Sequence, residues 1–190
     1  MRDYVTVVVP TSNCMTMLEP EFSTNLDHYQ GNPDAPLVLV EYGDFECPDC
    51  GQAYPVLKQI KEEFADRVCF VFRNMPLDQL YPIHPHATIA ANGAQAAALQ
   101  GNFWEMHDLL FENQEELSEE KIIELAEKLG LNMEQFEEDF ASAEVAEQVE
   151  NDLNSGKENG VTSTPTFFLN GEKIEESRNY EALIELLRAA

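Results

Sequence analysis

The feature that most constrains this chain is a Cys-Pro-Asp-Cys motif at residues 47–50, which stands where a strand pattern gives way to a helix pattern. Apolar residues in a continuous run predict a buried strand over 37–42, and apolar residues at helical spacing predict a helix over 51–65. Proline is favoured at the first helical position, because its missing N–H needs no partner there. We therefore expect Cys47 to be the N-cap of this helix and Cys50 to lie one turn inside it.

A cysteine at a helix N-cap is predicted to be reactive. The unpaired N–H groups of the first turn and the positive end of the helix dipole favour the thiolate over the thiol. The thiolate is the nucleophilic form of cysteine, so Cys47 is the expected nucleophile. Cys50 stands close enough to form a disulfide with it, and the motif therefore predicts redox chemistry.

A zinc site is the alternative interpretation of this motif, because a C-x-x-C pair can supply two of four zinc ligands. Candidates for the other two ligands are His84, His86, Cys14 and Cys69. A zinc motif normally holds its first pair in a tight turn, whereas the proline here begins a helix at once. Redox chemistry is thus favoured, and the zinc reading stays open.

The charge of the chain limits its partners. The 190 residues suit one domain with a substantial core, and they carry a formal net charge of -25. Such a surface repels nucleic acid and anionic membrane, so we expect neither as a partner.

The first ten residues lack the pattern of a secretory signal, and no apolar run is long enough to span a bilayer. We therefore expect a cytoplasmic protein.

The other elements follow from apolar periodicity and turn residues. Strands are predicted over 4–9, 67–75 and 164–169, the last continuing through an Asn-Gly turn into a hairpin. Residues 11–30 show no regular pattern. Helices are predicted over residues 86–100, 103–113, 118–130, 132–141, 144–153 and 181–188.

This order of elements predicts an α/β protein in which a helical block interrupts the strands. Residues 1–78 are expected to form the first part of the sheet, with the C-x-x-C motif. Residues 79–157 are expected to be an inserted all-helical subdomain, because the segment is too long for a loop. Residues 158–190 are expected to return to the sheet and to close with a helix.

Four features together resemble the DsbA-like branch of the thioredoxin superfamily. They are the Tyr-Gly-Asp-Phe-Glu-Cys-Pro-Asp-Cys segment at 42–50, the helical Pro55, Phe-Trp-Glu-Met-His at 103–107 and Thr-Ser-Thr-Pro-Thr-Phe-Phe-Leu-Asn-Gly at 162–171. The resemblance covers roughly residues 29–190. It implies a thioredoxin-like fold with a helical insertion and the activity of a thiol–disulfide oxidoreductase.

The resemblance also implies a substrate site. Pro165 is expected to be cis and to lie against the two cysteines, and the backbone of Thr164 is expected to pair with an extended substrate strand. Pro48 and Asp49, between the cysteines, are expected to contact the substrate as well. The helical block is expected to form one wall of this site. Phe103, Trp104 and Met106 are candidates to face it, although aromatic residues at helical spacing belong to the core more often.

A buried acid is implied in the same way. Glu41, six residues before Cys47, matches the buried acid of the family and is expected to relay a proton to or from Cys50. Arg73 is a candidate neighbour of Glu41 across adjacent strands. The histidines at 28, 84, 86 and 107 are given no catalytic role.

The expected mechanism is attack by Cys47 on a protein or peptide disulfide, followed by resolution by Cys50 and recycling by a redox partner. No cofactor and no metal are expected. Because Asp44, Glu46 and Asp49 lie close in sequence, we expect an apparent pKa of Cys47 that is not below about 5. A glutathione-dependent transferase or isomerase of the same fold is the second alternative, and the intact pair of cysteines argues against it.

Overall fold

The computed structural model describes residues 17–78, 83–175 and 180–189. Its strands are β1 (His28–Gln30), β2 (Leu37–Gly43), β3 (Val68–Asn74), β4 (Thr166–Leu169) and β5 (Glu172–Lys173). Its helices are α1 (Pro48–Glu63), α2 (Ala87–Ala98), α3 (Phe103–Glu112), α4 (Glu119–Leu129), α5 (Met133–Phe140), α6 (Ala143–Glu158) and α7 (Tyr180–Ala189). A short 3-10 turn, Gln114–Glu116, joins α3 to α4.

Within the described residues the strands form one mixed sheet in the order β1-β3-β2-β4-β5. The central strand β2 runs parallel to β3 and antiparallel to β4. Strand β1 was missed in the sequence because His-Tyr-Gln carries no apolar alternation, and it is defined by its antiparallel pairing with β3. The strand expected over residues 4–9 lies outside the described residues.

The two faces of β2 pack against different parts of the molecule, because successive side chains of a strand point to opposite sides. Leu37 and Leu39 belong to the larger core, which also contains the buried faces of α1, α7 and the helices α2–α5. Val40 and Tyr42 belong to a smaller core on the other face, with Cys69 and Phe168. Glu41 follows Leu37 and Leu39 at the two-residue spacing of a strand. Its side chain therefore points to the side of the sheet against which α1 packs.

The helices α2–α6 lie in sequence between β3 and β4, as the pattern of the chain indicated. Ser118 caps α4 by accepting a hydrogen bond from the Lys121 N–H, and Gly130 ends that helix with a φ of 73°. Both positions of the Asn170-Gly171 turn have positive φ, as a type I′ hairpin turn requires. None of the helices described is both long and apolar enough to cross a membrane. The division at residues 79 and 157 stays a prediction.

Candidate active site

The C-x-x-C motif lies at the start of α1, as predicted. Pro48 is the first helical residue, and Cys47 is the N-cap with an extended backbone (φ −72°, ψ 120°). Cys50 is fully buried one turn inside the helix, whereas Cys47 borders a depression on the surface. Both are thiols in this structure. Both cysteines are buried, but only Cys47, which is 6% exposed, borders the surface.

A distant segment covers this pair. The Thr164–Pro165 peptide bond is cis, as expected. That Pro165 itself lies against the two cysteines stays a prediction. The Cys47 thiol donates a hydrogen bond to the carbonyl oxygen of Thr164, with 3.3 Å between sulfur and oxygen. The hydroxyl oxygen of Thr164 is buried and has no hydrogen-bond partner in the described part of the chain. Thr164 thus lies directly against the predicted nucleophile.

The two sulfurs differ in acidity. The pKa of Cys47 is lowered to about 6, chiefly by a hydrogen bond from the Cys50 thiol. The backbone N–H groups of Cys50 and Asp49 lower it further, and burial opposes the shift. Burial raises the pKa of Cys50 well above its usual range, and the contacts with Cys47 and Glu41 raise it further. At neutral pH, Cys47 is therefore the thiolate and Cys50 the thiol.

The pKa of about 6 agrees with the expectation that the pKa of Cys47 is not below about 5. The expected cause, repulsion by nearby carboxylates, is not what the structure shows. Asp44 is buried and accepts hydrogen bonds from the backbone of Glu46 and from Nδ1 of His84 at 2.8 Å. The Glu46 carboxylate is bound by the backbone N–H and Nδ1 of His86. Neither carboxylate is among the main influences on the pKa of Cys47. Burial and hydrogen bonding, not opposing charges, hold that pKa near 6.

Glu41 lies on the face of the sheet that packs against α1, and it is 1% exposed. Its Oε1 has no hydrogen-bond partner among the described residues. Burial raises its pKa to about 8, Lys61 opposes this rise, and the charge of Cys47 adds to it. A carboxyl group with this pKa gains and loses a proton near neutral pH, as a proton relay must.

Arg73 does not lie beside Glu41, so the suggested pairing is wrong. In the register of β2 and β3 the partner of Arg73 is Tyr42, whose side chain points to the opposite face of the sheet. There the Arg73 guanidinium binds the Asp27 carboxylate at 2.7 Å and donates to the Tyr42 hydroxyl at 2.9 Å. Arg73 therefore holds the Asp27 segment against the sheet.

The depression beside Cys47 contains four residues that the sequence assigned to the nucleophile or to the substrate site. It is lined by Cys47, Pro48, Asp49, Leu77, Ile83, His84, Ser163 and Thr164. No such role was assigned to the other four, because they come from segments before α2 and before β4 that only the fold brings together. Ile83 is 76% exposed there, which gives the depression an apolar side.

The three candidates on α3 belong to the core and not to the site, which is the more common role of aromatic residues at helical spacing. Met106 is fully buried in the larger core. Phe103 stacks on the ring of His28 with 3.6 Å between ring centroids, and the indole N–H of Trp104 donates to the Tyr29 carbonyl oxygen at 2.9 Å. These side chains join α3 to the sheet and do not line the depression.

The candidate zinc ligands do not complete a metal site with the motif. Within the ranges that the structure describes, no three His, Cys, Asp or Glu side chains are placed to share a metal ion. Cys69 is buried in the smaller core, where burial raises its pKa to about 11. Cys14 lies outside those ranges.

A residue that the sequence did not indicate also contacts the motif. Gln114, in the 3-10 turn after α3, donates hydrogen bonds from Nε2 to the carbonyl oxygens of Phe45 at 2.7 Å and Cys47 at 2.9 Å. Gly51 makes room for its side-chain amide. The one sequence signal was a glycine inside a predicted helix, which often marks a close approach of another group.

Curated relatives match most of this chain. The Na(+)/H(+) antiporter NhaA 1 of Salinispora arenicola is 42% identical over 164 residues, which are 86% of this chain and 24% of that protein. The NhaA antiporter of Herminiimonas arsenicoxydans is 38% identical over 180 residues, or 95% of this chain and 28% of that protein. The chain thus spans about a quarter of the length of these relatives.

Solved structures share the fold. The crystal structure of oxidised BdbD from Bacillus subtilis has a TM-score of 0.75 and 25% identity, covering 88% of this chain and 94% of BdbD. Wolbachia pipientis alpha-DsbA1 has a TM-score of 0.77 and 19% identity, covering 92% and 95%. The family model described as Thioredoxin matches residues 23–189. The chain therefore belongs to the thioredoxin family and has the thioredoxin-like fold of its DsbA-like members.

Proposed function

We propose that this chain is a thiol–disulfide oxidoreductase that acts on protein or peptide disulfides through the Cys47–Cys50 pair. One observation carries the proposal: within one helical turn, the pKa of Cys47 is lowered and the pKa of Cys50 is raised. The Cys47 sulfur also contacts the Thr164 backbone. A low pKa suits an attacking and leaving sulfur, and a high pKa keeps its neighbour protonated until the mixed disulfide has formed.

In the reducing direction the Cys47 thiolate attacks one sulfur of a substrate disulfide. A Cys47–substrate bond forms, and the second substrate sulfur leaves as a thiolate that takes a proton from water. Cys50 then loses its proton to the Glu41 carboxylate and attacks the Cys47 sulfur. This releases the first substrate thiol and leaves the Cys47–Cys50 disulfide, which a recycling dithiol reduces. The reverse sequence transfers the disulfide to the substrate.

The substrate is proposed to be an extended peptide segment. The hydroxyl of Thr164 has no partner among the described residues, and Thr164 lines the depression that contains Cys47. Pairing with the backbone at this point would align a substrate strand, as strand addition does at a sheet edge. Leu77 and Ile83 offer it apolar contacts.

The curated relatives are Na(+)/H(+) antiporters more than three times as long as this chain. We propose that the part they share with this chain carries the thiol chemistry. A cytoplasmic location, the lack of a cofactor, the recycling partner and the exclusion of nucleic acid and membrane stay predictions of the sequence.

Turnover of a disulfide-bonded peptide in the presence of a small dithiol tests this function. The chain should accelerate reduction, and Cys47→Ser should remove the acceleration. Parallel metal analysis separates the alternatives, since stoichiometric zinc with no turnover would support the zinc site. A glutathione-dependent transferase would need glutathione and would keep its activity in Cys50→Ser.

A further inference from the structure

Gln114 binds the backbone on both sides of Glu46, in the loop that leads β2 into α1. Its Nε2 donates to the carbonyl oxygens of Phe45 and Cys47, residues 69 and 67 positions away. The Cys47 carbonyl oxygen also accepts the N–H of Gly51, at 3.0 Å. The amide of Gln114 therefore joins the helical segment to the N-cap residue of α1.

Gly51 is shaped to receive this amide. A Cβ at position 51 would lie 2.2 Å from Oε1 of Gln114 and 3.1 Å from its Cδ, so any side chain there would displace the amide. The backbone at Gly51 does not need glycine, because it is helical and has no positive φ. Glycine is also one of the least favourable residues within a helix. Room for Gln114 is the feature that accounts for it.

We propose that Gln114 is a positioning residue for the thiol–disulfide exchange: it holds the Cys47 backbone so that the first N–H groups of α1 face the Cys47 sulfur. Two hydrogen bonds to neighbouring carbonyls fix the peptide units on either side of the N-cap. The sulfur can then exchange partners while its backbone stays in place. This inference rests on the proposed function, because it assigns a role within that reaction.

A purely structural role is the competing explanation, in which Gln114 only ties the turn after α3 to the rest of the fold. Gln100 provides a matched control for that role. Its side-chain amide clamps the backbone of Asn132, the N-cap of α5, donating to the carbonyl oxygen at 3.1 Å and accepting from the N–H at 2.9 Å. Loss of either glutamine removes two backbone hydrogen bonds, but only Gln114 contacts the motif.

The first experiment compares Gln114→Leu with Gln100→Leu by titrating the Cys47 thiolate through its ultraviolet absorbance and by measuring alkylation rates. Gln114→Leu should raise the pKa of Cys47 by about half a unit or more, which slows alkylation at pH 5 about threefold. Gln100→Leu should leave both quantities unchanged while lowering the melting temperature to a similar extent. Equal values for the two variants would overturn the proposal.

A second experiment separates positioning from stability. Gly51→Ala pushes the end of the Gln114 side chain away while improving helix propensity, so the melting temperature should fall less than in Gln114→Leu while the pKa of Cys47 rises. In the Gln114→Leu background the same change should move the pKa no further. An unchanged pKa in Gly51→Ala would contradict the proposal.

The two proposals can fail separately. If Cys47 of the unchanged protein has the pKa of an ordinary thiol and exchanges no disulfide, the proposed function is wrong. If the unchanged protein exchanges disulfides and Gln114→Leu does not alter Cys47, only the role of Gln114 is wrong.

Discussion

The Cys47 thiol donates a hydrogen bond to the Thr164 carbonyl oxygen, and this contact joins residues 117 positions apart. The antiparallel pairing of β2 with β4 makes it possible, since Tyr42 lies opposite Thr166 in the register. The segments that precede α1 and β4 therefore end at the same edge of the sheet. The reactive sulfur and the backbone beside it are positioned by the most buried part of the fold.

Glu41 should make stability depend on pH. Its pKa of about 8 in the folded chain exceeds the ordinary 4.5, so the folded state binds more protons than the unfolded state between these values. The contribution of Glu41 to the free energy of unfolding is fully present below pH 4.5 and is lost as the pH rises through 8. By about pH 9 the free energy of unfolding of the unchanged protein should have fallen by on the order of 4 kcal/mol. The Glu41→Gln variant should not show this fall.

Denaturant unfolding at a series of pH values checks this difference. Glu63→Gln, on the surface of α1, is the control and should retain the pH dependence. The Gln substitution should also slow resolution of the mixed disulfide above pH 7, because Cys50 loses its proton acceptor. Parallel stability curves for the unchanged protein and Glu41→Gln would show that Glu41 does not titrate in this range.

The Arg73–Asp27 pair should contribute much more to stability than a surface pair does. Its side chains are 3% and 5% exposed, so Asp27→Asn leaves a buried guanidinium without its counter-ion. A loss of roughly 3–5 kcal/mol in the free energy of unfolding is expected. The exposed Arg188–Glu63 pair is the comparison, and Glu63→Gln should cost less than about 1 kcal/mol. Equal losses in chemical denaturation would refute this ranking.

Cys69 should be inert in the folded protein. It is fully buried, and its pKa of about 11 leaves it protonated at neutral pH. Brief alkylation at pH 7 followed by peptide mass analysis should therefore find label on Cys47 and none on Cys69 until denaturant is added. Labelling of Cys69 as fast as Cys47 would show that the smaller core opens readily.

Local sequence rules predicted the elements that local interactions determine. The proline at the first helical position set the start of α1, and the caps at Ser118 and Gly130 set the ends of α4, as the structure confirms. The Asn-Gly turn likewise placed the hairpin. In each case the residues that determine the structure lie within a few positions of one another.

Contacts between distant segments were not predictable in this way. Asp44 binds His84, and Gln114 binds the Cys47 backbone, only because folding brings them together. Side chains of α3 were only candidates for the substrate site because aromatic residues suit either role, and the structure places them with the core. Sequence identified the reacting sulfurs, and the structure was needed to show what holds them.

The most direct test of the account is to isolate Cys50→Ser after incubation with a disulfide-bonded peptide and to locate the adduct by mass spectrometry. The account predicts a stable mixed disulfide on Cys47, because the attacking thiolate is present and the resolving thiol is absent. Cys47→Ser should form none. A Cys50→Ser protein that forms no adduct, or forms it on Cys69, would contradict the central claim that Cys47 is the nucleophile.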